Sequence, residues 1–391
     1  MRAARAYLKR LTRHPHRGTA TAEEAAAAGE IRQWLSDMGY ACEIQAFATP
    51  RDTLYLGPSA VMAGFLVAAA VGRYRPWAGL LLALALLVPL AGEMLGSLRV
   101  DLDLLLPRYR SQNVVARSGS AGGRRTLVVS GHYDTQRASL LFHPQVAPWI
   151  QPYFYLVYGS LLSVPVTLGL RWALPAATWT GPMLAAGSAL LVVHTAFLVL
   201  CRVTGRYING ANDNGSGVSL VLALAERFAR TPLPETEVIF LLTGAEEVGT
   251  RGMKAFMRRA RLDPATTRFV NLDNIGGGRL HYLTGEGMLA VKPFGPELLA
   301  LAGQMAAEQP GQVAPRKNLL LPTDGLIPAT LGYQAISFLA FLDDGSLPNY
   351  HWYTDTFEQI DLALLDFAEE FLADYLRRLA TAPVVEGARG D

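Results

Sequence analysis

TLVVS at residues 126–130 runs directly into GHYDT at 131–135, and this junction decides the fold. A short run rich in Val and Leu reads as a strand, and His132 and Asp134 follow just past its end. The pattern recurs twice. EVIFLL (237–242) leads into TGAEEVG (243–249) with Glu246 and Glu247, and FVNL (269–272) leads into Asp273. In open α/β sheets, sites form outside the carboxyl ends of the strands, and here three junctions in a row carry residues able to bind metal.

Working outward, Tyr40 to Ala46, Asn113 to Ala116 and Ala335 to Leu339 read as further strands. Thr21 to Met38 reads as a helix opened by the start signal Thr21-x-x-Glu24. Gly217 to Arg230, Gly252 to Arg261 and Leu362 to Leu379 read as helices too. Strands alternating with helices imply an α/β fold: a mixed, mainly parallel sheet flanked by helices.

Four stretches lack Asp, Glu, Lys and Arg: Thr53 to Gly72, Pro76 to Gly92, Ala138 to Leu170 and Trp172 to Cys201. A membrane-crossing helix needs about 20 mostly apolar residues. The stretches therefore read as two inserted transmembrane hairpins, turning at Arg73/Arg75 and at Arg171, with Tyr55, Trp77, Trp149 and Tyr153 near their ends. Hydrophobic residues make up 51 % of the 391-residue chain and charged ones 17 %, which fits added apolar segments. Each hairpin has an even number of crossings, so all soluble pieces return to one side. The expected organisation is a catalytic domain in three parts (1–52, 99–137 and 204–383), hairpins at 53–98 and 138–203, and a frayed tail at 384–391.

The 35 basic and 33 acidic residues nearly cancel, so no basic field for nucleic acid is implied. Only Cys42 and Cys201 occur, which indicates no disulfide framework. The basic N-terminus has no apolar core behind it, so no cleavable signal peptide is expected. The arginine balance favours a cytoplasmic catalytic side: Arg51, Arg99, Arg108, Arg110, Arg137, Arg202 and Arg206 flank the outer ends of the hairpins, against Arg73, Arg75 and Arg171 at the turns.

Neutral imidazole and carboxylate oxygen suit Zn²⁺. Two zinc ions bring a charge of roughly four, which Asp213, Glu247, Asp273 and a bridging hydroxide would balance. Without metal, those carboxylates could not all ionise at close range. In extended chain, neighbouring side chains point opposite ways, so one of Glu246 and Glu247 can bind metal while the other acts as general base. Asp134 is placed to hold the His132 imidazole by its second nitrogen. Asp213 could also cap the helix that follows it. His14, His16, His143 and His281 have no supporting motif, and His194, inside an apolar run, reads as a neutral packed residue.

GHYDT, ANDNGSG, TGAEEVGTRG, NLDN and YHWYTDTFEQID, in this order, resemble the co-catalytic di-zinc aminopeptidase family of the zinc exopeptidases, in a membrane-anchored form. The stretch RHPHRGTATAEEAAAAGEIRQWLSDMGY (13–40) resembles the family's usual first helix. The resemblance implies one zinc held by His132 and Asp273 and another by Glu247 and His351, with Asp213 bridging, Glu246 as general base and Asp134 orienting His132. It implies removal of N-terminal residues from peptides through a metal-bound hydroxide. Carboxypeptidase or glutaminyl cyclase chemistry on the same scaffold and a non-catalytic scaffold or receptor are the alternatives. An intramembrane protease is excluded, because the motifs lie outside the apolar runs. There are departures. The His132-to-Asp213 spacing is long, and Ala138 to Cys201 accounts for the excess. Thr323-Asp324-Gly325 stands where the family often has Ser-Asp-His, and Trp352-Tyr353 is expected to narrow the cleft.

Overall fold

The computed structural model describes residues 2–94, 106–118, 124–288, 290–319 and 321–382; the expected frayed tail lies outside them. The chain divides into two compact units. One comprises Met1–Arg51, Arg108–Ala138 and Tyr207–Asp391, the other Asp52–Pro107 and Ser139–Arg206.

The first unit is built on a mixed sheet. Its strands are β1 (Ala41–Thr49), β2 (Tyr109–Arg117), β3 (Arg125–His132), β4 (Thr236–Thr243), β5 (Thr267–Leu272), β6 (Arg279–Glu286), β7 (Lys292–Pro293), β8 (Val313–Asn318) and β9 (Gln334–Phe341). They run in the order β1-β2-β4-β3-β5-β9-β6-β7, with β8 paired to β6. The central strands β4, β3, β5 and β9 pair in parallel, while β1, β2 and β6 join antiparallel. The expected mixed sheet forms, parallel through its centre, while antiparallel pairings are as many as parallel ones among the described strands.

Both faces are covered, as a parallel sheet requires. Alternate residues of each central strand go to opposite faces. Leu127, Val129, Phe240, Val270, Ile336 and Phe338 pack beneath helices Ala3–Leu11, Ala22–Asp37, Gly217–Arg230, Pro296–Glu308 and Leu362–Thr381. Val128, Ile239, Leu241, Phe269 and Leu339 face the other way, against Met253 and Phe256 of helix Arg251–Arg259. Each such side chain, fully buried, contributes about 1.5–3 kcal/mol. The start signal forms as read: Thr21 Oγ1 accepts from the Glu24 amide at 3.2 Å, and the Glu24 carboxylate accepts from the Ala20 amide at 2.9 Å.

Register brings the ligand-bearing ends level. His132, the last residue of β3, pairs with Thr243, the last of β4. Ser130 lies opposite Asn271 of β5, and Asn271 opposite Ser337 of β9. Side chains following these residues therefore gather at one edge of the sheet.

The second unit holds helices Leu56–Tyr74, Pro76–Met94, Ile150–Ala173 and Thr180–Thr204. Among the described residues, Leu56–Tyr74, Ala147–Ala173 and Thr180–Thr204 are long and apolar enough to cross a membrane, and Pro76–Val88 is a shorter apolar helix. Their outward residues are apolar too: Leu81 is 60 % and Val193 62 % exposed, an arrangement suited to lipid rather than water. Small residues allow close packing inside. A Cβ on Gly79 would run into the Gly72 backbone, and one on Gly187 into Ser163. Asp52 accepts from the Tyr55 amide at 3.1 Å and pairs with Arg202, which ties the start of the first of these helices to the end of the last.

Candidate metal centre

Each ligand-type side chain is presented by a turn that leaves the sheet edge. His132 ends β3, and the next amide, of Tyr133, donates to the Thr243 carbonyl at 2.9 Å, which keeps the two strand ends together. Asp273 follows β5, its amide bound to Phe338 of β9 at 3.0 Å. Glu246 and Glu247 lie in a turn after β4 that opens on Ala245 at φ 55°. Asp213 sits in the loop before helix Gly217–Arg230, and His351, at φ 49°, in the loop after β9.

These turns converge. His132 Nε2 lies 3.2 Å from Asp213 Oδ1 and 3.5 Å from Asp273 Oδ1. His351 Nε2 lies 3.1 Å from Asp213 Oδ2 and 3.1 Å from Glu247 Oε2. Two triads result, His132–Asp213–Asp273 and Asp213–Glu247–His351, and Asp213 gives one oxygen to each. Glu246 Oε2 is 4.0 Å from His132 Nε2, beside the first triad. All seven residues singled out in the sequence thus meet in one place.

Asp134 does more than flank His132. Its carboxylate stands 3.6 Å from His132 Nδ1, and its main-chain oxygen is nearer, at 3.2 Å. The carboxylate accepts from the Glu246 amide at 3.0 Å, the Glu247 amide at 3.3 Å and the Thr19 hydroxyl at 2.7 Å. It therefore holds the Glu246–Glu247 turn as well as the histidine.

The electrostatics describe a site short of positive charge. Burial alone would raise the Asp213 carboxyl, but hydrogen bonds from His132 and His351 outweigh it and hold Asp213 well below the ordinary carboxylate range. Burial would lower His351, yet Glu247 and Asp213 push it up to about 10. His132 is likewise raised, burial being outweighed by Asp273 and Glu246. Burial pushes Glu247 up to about 7, and Glu246 well above its ordinary value. Both imidazoles are thus pushed toward their charged forms by the carboxylates around them.

Do the residues fit metal ions? Glu247 Oε1 is buried and without a hydrogen-bond donor. Donor separations of 3.1–3.5 Å within the triads match the edge of a tetrahedron with bonds of about 2.0–2.1 Å, roughly 3.3–3.4 Å. Imidazole with carboxylate is a donor set suited to zinc. The site fits.

Sequence reading passed over several supporting residues. Asp355 accepts from the Asn212 amide at 2.6 Å and the Asp213 amide at 3.0 Å, and burial pushes its carboxyl up to about 7. Gln136 donates to Glu247 Oε2 at 3.2 Å. Asn212 bridges Asn274 and the Gly276 amide. Buried Arg17 donates to three carbonyls of the surrounding loops. Asp355 and Arg17 stood within recognised motifs, the only signal available. In the Thr323-Asp324-Gly325 segment, Asp324 accepts from Thr243, and a Cβ on Gly325 would collide with the Ser337 hydroxyl, so a larger residue does not fit there. Tyr350 stacks on the His351 ring at 3.9 Å, while Tyr353 is about half exposed.

Comparison with known proteins agrees with this geometry. Residues 193–376 match the model of peptidase family M28. A probable lipoprotein aminopeptidase, LpqL, of Mycobacterium tuberculosis is 28 % identical over 183 residues, which cover 40 % of this chain and 37 % of that one. The chain thus spans little more than a third of that relative's length. Among solved structures, glutaminyl cyclase of Porphyromonas gingivalis superposes with a TM-score of 0.58 at 15 % identity, covering 96 % of this chain and 97 % of that one. An aminopeptidase from Aneurinibacillus sp. strain AM-1 superposes with a TM-score of 0.57 at 16 % identity, covering 99 % and 96 %. Both share the zinc-exopeptidase fold, a sheet between helical layers. The segment matching peptidase family M28 contains Asp213, Glu246, Glu247, Asp273 and His351.

Proposed function

We propose that this chain is a membrane-anchored, zinc-dependent exopeptidase that removes N-terminal residues from peptides. The observation carrying the proposal is the pair of ligand triads sharing Asp213, with Glu246 beside them. His132 and Asp273 would hold one ion, Glu247 and His351 the other, and Asp213 both. Two bound cations supply Lewis-acid polarisation of a carbonyl and acidification of water. Glu246 takes the proton of the attacking water and delivers it to the leaving amine. Burial raises its carboxyl above the ordinary range, which makes it a stronger proton acceptor. Asp134 fixes the turn that carries Glu246 and Glu247 by binding both amides.

The anchor is read as four crossings in two hairpins, in contact with the lipid bilayer. The arginines at the outer ends of the hairpins favour a cytoplasmic catalytic unit. A reporter fused to the C-terminus tests this, and reporter activity confined to an external compartment reverses the orientation.

The activity test uses the detergent-purified chain with amino-acid anilides, N-blocked anilides and an N-terminal glutaminyl peptide. Hydrolysis of free-amine substrates alone is expected, with kcat reduced about 10²–10⁴-fold in Glu246→Gln. Cyclisation of the glutaminyl peptide without hydrolysis would replace the exopeptidase reading with a cyclase. Full turnover by Glu246→Gln would remove Glu246 as the base.

A further inference from the structure

We propose that Arg17 is a positioning residue of the metal centre. Its guanidinium ties the loop that carries Asp213 to the loop that carries His132, and so sets where the shared carboxylate lies. The inference rests on the two-ion reading above and names a residue that reading does not use.

Arg17 is fully buried. Its Nε donates to the Tyr133 carbonyl at 2.7 Å, Nη1 to the Asn209 carbonyl at 2.8 Å and Nη2 to the Gly210 carbonyl at 2.8 Å. Tyr133 lies between His132 and Asp134, and Asn209 and Gly210 open the loop that reaches Asp213. One planar fork therefore spans both loops with a fixed geometry that a compact ammonium lacks. The main chain adds to the tie: the Arg17 amide donates to Thr135 Oγ1 at 3.0 Å, and the Thr135 amide donates to the Arg17 carbonyl at 3.2 Å. The same N-terminal segment grips Asn209 again, through the carbonyls of Thr12 at 2.9 Å and His14 at 2.8 Å.

The Asp213 loop is held from two sides by opposite charges. Cationic Arg17 takes carbonyl oxygens at residues 209 and 210, while anionic Asp355 takes the amides of Asn212 and Asp213. Each charge meets the favourable end of the peptide dipole. Gly210, whose carbonyl Arg17 holds, adopts φ +67°, so the loop turns sharply where Arg17 pins it. Burying a guanidinium is costly, and three charge-assisted bonds to carbonyls offset that cost. Here its bonds end on the backbone that presents two ligands.

The test compares Arg17→Lys and Arg17→Met with wild type, in detergent and stripped of metal. Zinc affinity and stoichiometry are read by chelator competition, folding by circular dichroism and thermal melting, and turnover as separate kcat and KM. Both variants are expected to fold and to bind at least one ion about 10- to 100-fold more weakly, with kcat falling more than KM rises. Lysine keeps the charge but not the fork. Wild-type affinity in Arg17→Lys would make charge alone its contribution and overturn the proposal, as would wild-type affinity in both variants. If only Arg17→Met fails to fold, Arg17→Lys decides; loss of folding in both would assign Arg17 to stability and overturn the proposal. A wild-type chain that binds no zinc would overturn the proposed function instead.

Discussion

Glu286, at the end of β6, is wholly buried, and its two oxygens accept from the Thr323 amide at 3.0 Å and the Thr323 hydroxyl at 2.9 Å. Burial pushes its carboxyl from 4.5 up to about 7. The sign of the pH effect follows. Between pH 4.5 and about 7 the unfolded chain loses this proton while the folded chain keeps it, so stability falls as pH rises through that window. At 1.36 kcal/mol per decade, the full loss above pH 7 is on the order of 3 kcal/mol. Glu286→Gln keeps the shape and removes the titration. Its carbonyl can accept from the Thr323 amide, and its NH₂ can face Thr323 Oγ1, which also contacts Ser337 Oγ at 2.9 Å. Wild type and variant should therefore melt alike near pH 5, and the variant should be the more stable by pH 8. At about 2 °C per kcal/mol, the gap opening across that range is roughly 6 °C. The assay is a tryptophan-fluorescence melt of both proteins in detergent and chelator, where other titrating groups cancel in the difference. A gap that stays constant with pH, or a variant that loses stability as pH rises, would refute the reasoning.

Two further outcomes follow from the site. Gly210→Ala puts a Cβ at φ +67° against Thr135 and the Asp213 carbonyl; strain of about 1–3 kcal/mol should lower the melting temperature and weaken zinc binding together, both read on one purified sample. Zinc uptake at pH 7 should release protons, because His351 is pushed up to about 10 without metal and must be neutral to bind; calorimetry in buffers of different ionisation enthalpy should show the release, and affinity should climb as pH rises.

The centre of the sheet was legible because its strands are continuous apolar runs with ligand residues behind them. Thr126 to Ser130, Glu237 to Leu242 and Phe269 to Leu272 all lie within β3, β4 and β5. The strands missed by sequence reading lie to one side. β6 mixes His281, Thr284 and Gly285 with its apolar residues, and β8 carries Pro315, Arg316 and Lys317, which a strand away from the buried centre tolerates. Helix Ala3–Leu11 read only as a basic terminus, because Arg5, Lys9 and Arg10 obscure the buried stripe of Ala4, Leu8 and Leu11. The ligands were recoverable because their chemistry is in their side chains. Arg17 and Asp355 act on backbone atoms of loops far away in sequence, and nothing in a single sequence records which carbonyl or amide a side chain will meet.

The central claim, a cation pair held on one shared carboxylate, is tested most directly by titrating the metal-free chain with zinc. Wild type should take up two ions per chain, and Asp213→Asn, which removes the shared charge, should hold at most one tightly. Uptake of none by wild type, or of two by Asp213→Asn with unchanged affinity, would contradict the account.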